Sequence, residues 1–592
     1  MTNVLVGHPV IWSKIGPGQH VSEDSSSNEC ISLASRWLHG CLSSHLACKR
    51  AGTQILPTRV IELGACNEEM KLFVNEKGES AEYAALSHCW GSSHPITLTK
   101  ATLEQMQKNL VLDDSCKTFK DAADVTRRLG IPYLWIDSLC ILQDKDDVSD
   151  WQEEATRMSE VYNSATVTIS AAASLGSADG LFTAAEERQS RNKTVKLSCP
   201  GNNGHQEFVY VRARFREPFN IQEIVHSSLS PETPVLSSRG WVLQEDLLSP
   251  RMLHFRKEEL AWTCSTYSRC ECRLRPSLPL PHPFRAAPGT RTQGPELTHK
   301  LEIQWPLIVV DYTHRNLTKS LDRAMAVTGL AKYMSTETSD TYHSGLWYED
   351  MAFQLLWYVD RRNLSAPVPA RFEYPYSPSW SWISIPAPIS YYGRYSNGSV
   401  LSDPASETEE TVKPLLGVHP VGRIMNVWAV PQFSGSLLGP YLIAPLCLAA
   451  RVLPISFDIL TQQWKPTTIP VEDFIPAILK VYIDDDQDMP ACHPHATYVL
   501  LLAGQWYSEG MTLTCMQAVC ILARRLSKEA KHKIELTCRM QDRVEKENGI
   551  DKKNLITPTL ANSYERIGLV RGAGSVEAWL KADIPSQCVY LL

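Results

Sequence analysis

The sequence lacks a charge excess of either sign: its 592 residues carry 58 Lys and Arg against 65 Asp and Glu, a formal net charge of −7. That balance leaves no electrostatic footprint for nucleic acid or anionic lipid, and no nucleic-acid partner is expected. Long apolar runs are missing too. Stretches such as Tyr441 to Leu453 are short and broken by Pro, and the opening MTNVLVGHPVIWSKIGPGQH has neither the basic start nor the apolar core of a secretory signal. The expectation is a cytoplasmic protein with no membrane span. Seventeen cysteines are scattered without a disulfide framework, which reads as thiols in a reducing compartment. There is no Gly-rich phosphate loop ending in Gly-Lys-Ser/Thr and no repeat at solenoid or propeller period, which excludes a nucleotide-driven switch of that kind and a repeat array.

What is present is globular. Hydrophobic residues make up 43% and charged residues 21% of a chain too long for one core, so several packed units are expected. Pattern breaks at Glu186 to His205, Pro276 to Pro295, Ser402 to Thr411 and Gln541 to Asn554 read as loops or linkers. They divide the chain into a helical lead-in (1–82), an α/β domain (83–185) and its continuation (186–275). A Pro-rich linker (276–300), a helical segment (301–400) and a β-rich region (401–592) complete the division.

The stretch from Tyr83 to Ala173 alternates short apolar runs with helical periodicity, the order of a parallel sheet with flanking helices. Tyr83-Ala-Ala-Leu-Ser87 reads as a first strand. Phe119, Ala122, Ala123, Thr126 and Leu129 share one helical face that ends at Gly130, Tyr133 to Asp137 is a buried strand, and Val167 to Ala172 a third. Before that third strand a helix is expected to start at an Asp150 N-cap with Glu153 completing a capping box. Its buried stripe is Trp151, Ala155, Met158 and Tyr162, with Glu154 on the edge. Further on, Tyr498 to Ala503 and Val519 to Arg524 are strand-like among Pro-rich loops.

These residues resemble the heterokaryon incompatibility (HET) domain family. The likeness runs through Tyr83-Ala-Ala-Leu-Ser-His-Cys-Trp-Gly91, Phe119-Lys-Asp-Ala122, Leu129-Gly-Ile-Pro-Tyr-Leu-Trp-Ile-Asp-Ser-Leu-Cys-Ile-Leu-Gln-Asp144, then Trp151, Glu154, Met158, Tyr162 and Ala165. Downstream it resumes at Arg239-Gly-Trp-Val-Leu-Gln-Glu245, Pro250-Arg-Met-Leu-His-Phe255, Pro378-Ser-Trp-Ser-Trp382 and Tyr564-Glu-Arg-Ile-Gly568. The resemblance implies non-self recognition between fungal hyphae and the cell death that follows incompatible fusion, with another protein or self-association as partner. His88 stands where the family often has Tyr, so a role for an aromatic hydroxyl there does not carry over. The first strand is also similar to the opening strand of Toll/interleukin-receptor-like domains, which implies an alternative in which NAD is a substrate and is cleaved.

In that alternative Ser87 and Asp137, the polar residues closing two strands, would orient the substrate where ligands of open parallel sheets bind. Glu154 would stabilise the oxocarbenium-like transition state. The competing reading is structural: Asp137 caps a turn and Glu154 pairs with an Arg. Cys41, His45 and Cys48, with Cys30 or Cys66 added, have the chemistry of metal ligands but fit equally core packing along a helix through Trp37, Cys41, His45 and Cys48. Packing is the expectation, and no metal or cofactor is assigned. Cys264, Cys270 and Cys272 lack paired zinc spacing and are expected in a loop or strand pair. Tyr482-Ile-Asp-Asp-Asp486 reads as a solvated acidic turn, and Trp380 and Trp382 as one buried face of a strand.

Overall fold

The computed structural model describes residues 19–48, 54–91, 96–200, 235–272, 305–338, 340–348, 350–361 and 377–391, together with 3–5, 206–212, 368, 370–372 and, beyond 415, residues 416–420, 423–427, 430–431, 441–443, 446–458, 463–466, 480–484, 498–508, 517–526, 563–575 and 586–591. It divides into two compact units, Met1–Leu297 and Thr298–Leu592. The linker expected at 276–300 and the breaks at 402–411 and 541–554 lie outside the described residues. Among the described residues no helix is long and apolar enough to cross a membrane.

The first unit is built on an eight-stranded sheet. Its strands are β1 (Arg59–Glu62), β2 (Lys71–Val74), β3 (Tyr83–Ser87), β4 (Tyr133–Trp135), β5 (Val167–Ser170), β6 (Arg251–Phe255), β7 (Leu260–Cys264) and β8 (Ser268–Cys270), in spatial order β8-β7-β6-β5-β3-β4-β1-β2. The four central strands β4, β3, β5 and β6 run parallel, while the pairs β1/β2 and β7/β8 add antiparallel edges. Every residue of β3 and β5 is buried, as expected of parallel strands covered on both faces. The chain moves from β3 to β4 on one side, then reverses to β5 on the other. Such a reversal is where open parallel sheets take their ligands, here beyond the carboxyl ends of β3 and β5.

Four helices matter to the site: α1 (Asn28–Ser44), α2 (Lys117–Arg128), α3 (Ser149–Ser164) and α4 (Gly240–Leu248). The apolar stripe of α2 is buried as its periodicity requires, with Phe119, Ala122, Ala123, Thr126 and Leu129 all inside, and Gly130 turns the chain out of it at φ +80°. In α3, Tyr162 meets Trp135 edge-on at 5.5 Å. Gly91, which ends the first motif, sits at φ +77° where an added Cβ would lie 2.7 Å from the Gly176 Cα. Only glycine permits that backbone-to-backbone approach.

Several expectations change. The region 1–82 supplies α1 but also β1 and β2, which pair along the open edge of β4. Helix α3 begins at Ser149 with no side-chain cap. The Asp150 carboxylate is drawn instead to Arg59 Nη2 (2.6 and 2.8 Å) and the Leu142 amide (2.8 Å), so the capping box with Glu153 does not form. The polar run after Glu186 is not a loop: it holds a helix, Ala185–Arg191, and a strand, Thr194–Pro200, because Arg188 is buried against Glu271. Cys264 and Cys270 lie in the β7/β8 hairpin, with Cys272 just after it.

The second unit has an aromatic core. Trp305, Trp347, Trp357, Trp380 and Trp382 are fully buried. Trp305 and Trp382 both donate through Nε1 to the Gly345 carbonyl at 2.9 Å, and Trp357 donates to the Trp380 carbonyl at 2.8 Å. Trp380 and Trp382 are therefore core, but they sit in a turn leading to a 3-10 segment, Trp382–Ser384, rather than on a strand. Asp484 is buried beside Arg371 at 3.4 Å, so the acidic run is not wholly solvated: one carboxylate is held inside by a guanidinium. Farther on, Leu446–Asp458, Tyr498–Ser508, Gln517–Arg525, Ser563–Ser575 and Ser586–Leu591 pair in succession, and the last pairs back to the first, closing a ring. The C-terminal region is β-rich in that sense.

Candidate functional site at the carboxyl ends of the parallel strands

Ser87 is the last residue of β3 and is completely buried. Asp137 follows β4 and keeps about a quarter of its side chain exposed (25%). It accepts from Trp90 Nε1 at 2.8 Å and from the Ser138 amide at 2.7 Å. His88, next after Ser87, lies between them: its Nδ1 is 3.8 Å from Asp137 Oδ1 and its ring meets Phe119 edge-on at 5.0 Å. Burial holds its pKa below the ordinary value, against the pull of Asp137, so the ring is neutral.

Helix α4 brings two more groups. Its N-cap residue Arg239 donates from Nη1 to the His88 carbonyl at 2.8 Å. Glu245, two turns on, is buried near Ser87, Asp137 and Tyr162. Burial pushes its carboxyl up to about 7; the Ser87 hydroxyl pulls it down, the Asp137 charge pushes it up, and Arg239 and Tyr162 pull it down. Such a carboxyl exchanges its proton near neutrality, the property asked of a general acid or base. His88 Nε2 is buried without a hydrogen-bond partner, while the Ser87 hydroxyl faces the Glu245 carboxyl. A buried, unpartnered ring nitrogen beside that pair marks a place able to receive a polar ligand or water.

Glu154 does not join them. Its Oε1 accepts from Thr58 Oγ1 at 2.6 Å, Arg157 Nη1 approaches at 3.4 Å and Arg59 Nη2 stands at 4.0 Å. Ser87 and Asp137 thus converge with His88 and Glu245, whereas Glu154 is a buried carboxylate paired with arginines. Glu245 was visible in sequence only as the end of the Arg239 to Glu245 motif. Its chemistry appears when α4 packs against α3 over the strand ends. Elsewhere, a polar recess of about 550 Å³ is lined by residues including Glu23, Glu29, Arg188 and Asn192. Arg188 is neutralised there by Glu271, and the recess gathers no set of reacting groups.

Of the residues weighed as metal ligands, Cys41, His45 and Cys48 come together, and the fourth member of the group is Cys264. Cys30 instead points at Glu271 Oε1 (3.6 Å), and Cys66 is exposed.

No curated protein and no solved structure matches the chain. A family model described as "Heterokaryon incompatibility protein (HET)" matches residues 83–245. Its limits run from the first residue of β3 to Glu245, so they enclose Ser87, His88, Asp137, Arg239 and Glu245. Residues 83–245 are therefore similar to the heterokaryon incompatibility domain, and the strand-end cluster lies inside the matched stretch.

Proposed function

We propose that this protein acts in heterokaryon incompatibility, the non-self response of fused fungal hyphae, and that its HET domain drives the cell death that follows. The family match over residues 83–245 carries this reading. The protein works in the cytoplasm with another protein or a second copy of itself, and the C-terminal region supplies specificity or restraint.

A second reading rests on the strand-end cluster. A carboxyl poised near neutrality beside Ser87 and Asp137, at the reversal point of a parallel sheet, suits cleavage of NAD or a related dinucleotide. The Toll/interleukin-receptor-like character of the first strand favours the same chemistry. In this reading Glu245 rather than Glu154 stabilises the positive charge developing on the ribose, and Ser87 and Asp137 orient the substrate. Ser87 and Glu245 are covered, so self-association would have to open the site.

The test is inducible expression of the full chain in a filamentous fungal host, following viability and cellular NAD, for wild type, Glu245→Gln and Glu154→Gln at matched protein levels. Killing by wild type supports the effector reading; a well-expressed wild type that leaves cells viable in every compatible and incompatible background sinks it. NAD loss before death, abolished by Glu245→Gln and kept by Glu154→Gln, supports the enzyme. Loss in Glu154→Gln alone returns the role to Glu154. Killing with NAD intact in all three means the domain acts by binding.

A further inference from the structure

Four side chains with the chemistry of soft-metal ligands converge from distant parts of the first unit. Cys41 lies in the last turn of α1. The helix stops at Ser44, His45 adopts extended backbone (φ −91°, ψ 106°), and a 3-10 turn, Leu46–Cys48, brings Cys48 back. The continuous helical face expected through Trp37, Cys41, His45 and Cys48 is therefore broken at His45. Cys264 is the last residue of β7, where Thr263 pairs with Ser268 across the hairpin. Three Sγ atoms and a ring nitrogen of His45 all lie within 4.8 Å of one another.

The spacing has the size of a coordination tetrahedron. With Zn–S of about 2.3 Å and Zn–N of about 2.0–2.1 Å, tetrahedral angles set N···S edges of about 3.6 Å and S···S edges of about 3.8 Å. His45 Nδ1 stands 3.6 Å from Cys264 Sγ and 3.9 Å from Cys48 Sγ. Apolar packing gives no reason for one imidazole nitrogen to face two sulfurs. Nor would a disulfide between any two of the cysteines use the other two groups.

The surroundings hold the ligands in place. The His45 ring is fixed edge-on by Tyr267 at 4.6 Å. Thr266 Oγ1 lies 3.5 Å from Cys48 Sγ, within reach to donate to a thiolate. The buried Arg251 guanidinium donates to the Cys48 and Thr166 carbonyls, which sets a positive charge beside a site whose metal-bound form carries one net negative charge. Cys41, Cys48 and Cys264 are at most 1% exposed, so all four positions are filled by protein and none is left for substrate. That is the signature of a structural rather than a catalytic centre.

We propose that Cys41, His45, Cys48 and Cys264 form a closed zinc(II) site that fastens the C-terminal end of α1 to the β7/β8 edge of the sheet. Binding forms three Zn–S bonds and one Zn–N bond. Three thiol protons leave to solvent, and the imidazole binds through Nδ1 with its proton on Nε2. No redox step is involved. The site is independent of the strand-end cluster and of the function proposed above.

The test measures metal in the purified full chain, loaded with zinc and freed of loose metal on a desalting column. Wild type and Cys66→Ser should each hold about one zinc per chain, and Cys264→Ser should show at least about tenfold lower occupancy. With cobalt(II) in place of zinc, wild type should give intense tetrahedral d–d bands and a thiolate charge-transfer band. His45→Cys should keep the metal and move the d–d bands to longer wavelength, which a packing role would not produce. Should Cys264→Ser fail to fold, the His45→Cys spectrum decides. A wild-type chain that retains no zinc overturns the proposal. So does occupancy unchanged in a folded Cys264→Ser, metal lost instead in Cys272→Ser, or a cobalt spectrum indifferent to His45→Cys.

Discussion

Glu245 is the last residue of the matched stretch, yet its importance comes from being a carboxyl with almost no water around it. Because burial raises its folded pKa above that of the unfolded chain, the protonated form is the one the fold prefers. The stability this group contributes is therefore fully present below about pH 4.5 and is lost as pH rises through about 7. A tenfold change in proton affinity is worth about 1.4 kcal/mol, so the whole effect is on the order of 3 kcal/mol. Glu245→Gln should remove that decline, so that denaturant midpoints measured from pH 4.5 to 8 fall less steeply than in wild type; parallel curves would mean that Glu245 ionises normally. At this scale the sequence was partly legible. Ser87 and Asp137 could be placed at strand ends from the local pattern. Glu154 was read as a helix-edge carboxylate and is in fact covered, because Thr58 and Arg59 fold over it from a segment whose pattern gives no hint of that contact.

Elements were legible in proportion to how local their causes are. Strand β3 and helix α2 follow from continuous apolar character and from a 3.6-residue stripe, both properties of a dozen residues or fewer. Strands β1 and β2 are four residues each and acquire their identity only by pairing with β4 and with each other. The start of α3 departs from its local pattern for a related reason: Asp150 has the chemistry of a cap, but a bidentate bond to a nearly buried Arg59 competes with the cap and wins. Removing one partner of such a pair strands the other. Asp150→Ala should cost about 2–3 kcal/mol, while Glu153→Ala on the exposed face should stay within about 0.5 kcal/mol. Equal losses in chemical denaturation would restore the capping box and discard the Arg59 explanation.

For the whole molecule, the sequence indicated several packed units, and the structure shows two, but the pairing that organises the first unit spans most of its length. The Gln19 amide donates to the Cys272 carbonyl at 2.8 Å, so two residues far apart in the sequence are hydrogen-bonded neighbours. Just inside them, Glu271 accepts from the Ser22 and Leu260 amides and from Arg188. Such long-range closure leaves no periodic trace in a sequence. It also makes the stretch 19–272 separable in principle, since ends that meet can be bridged without reaching across the fold. A circular permutant of residues 19–272, with a short Gly-Ser bridge joining 272 to 19 and new ends between Lys77 and Gly78, should unfold in one cooperative transition near that of the unpermuted segment. Loss of cooperativity in the permutant alone would show that chain order, and not the closed contact set, holds the unit together. A segment such as 19–272, whose two ends stand one hydrogen bond apart, is also a cassette: it could be seated within a surface loop of another protein without prising that loop open.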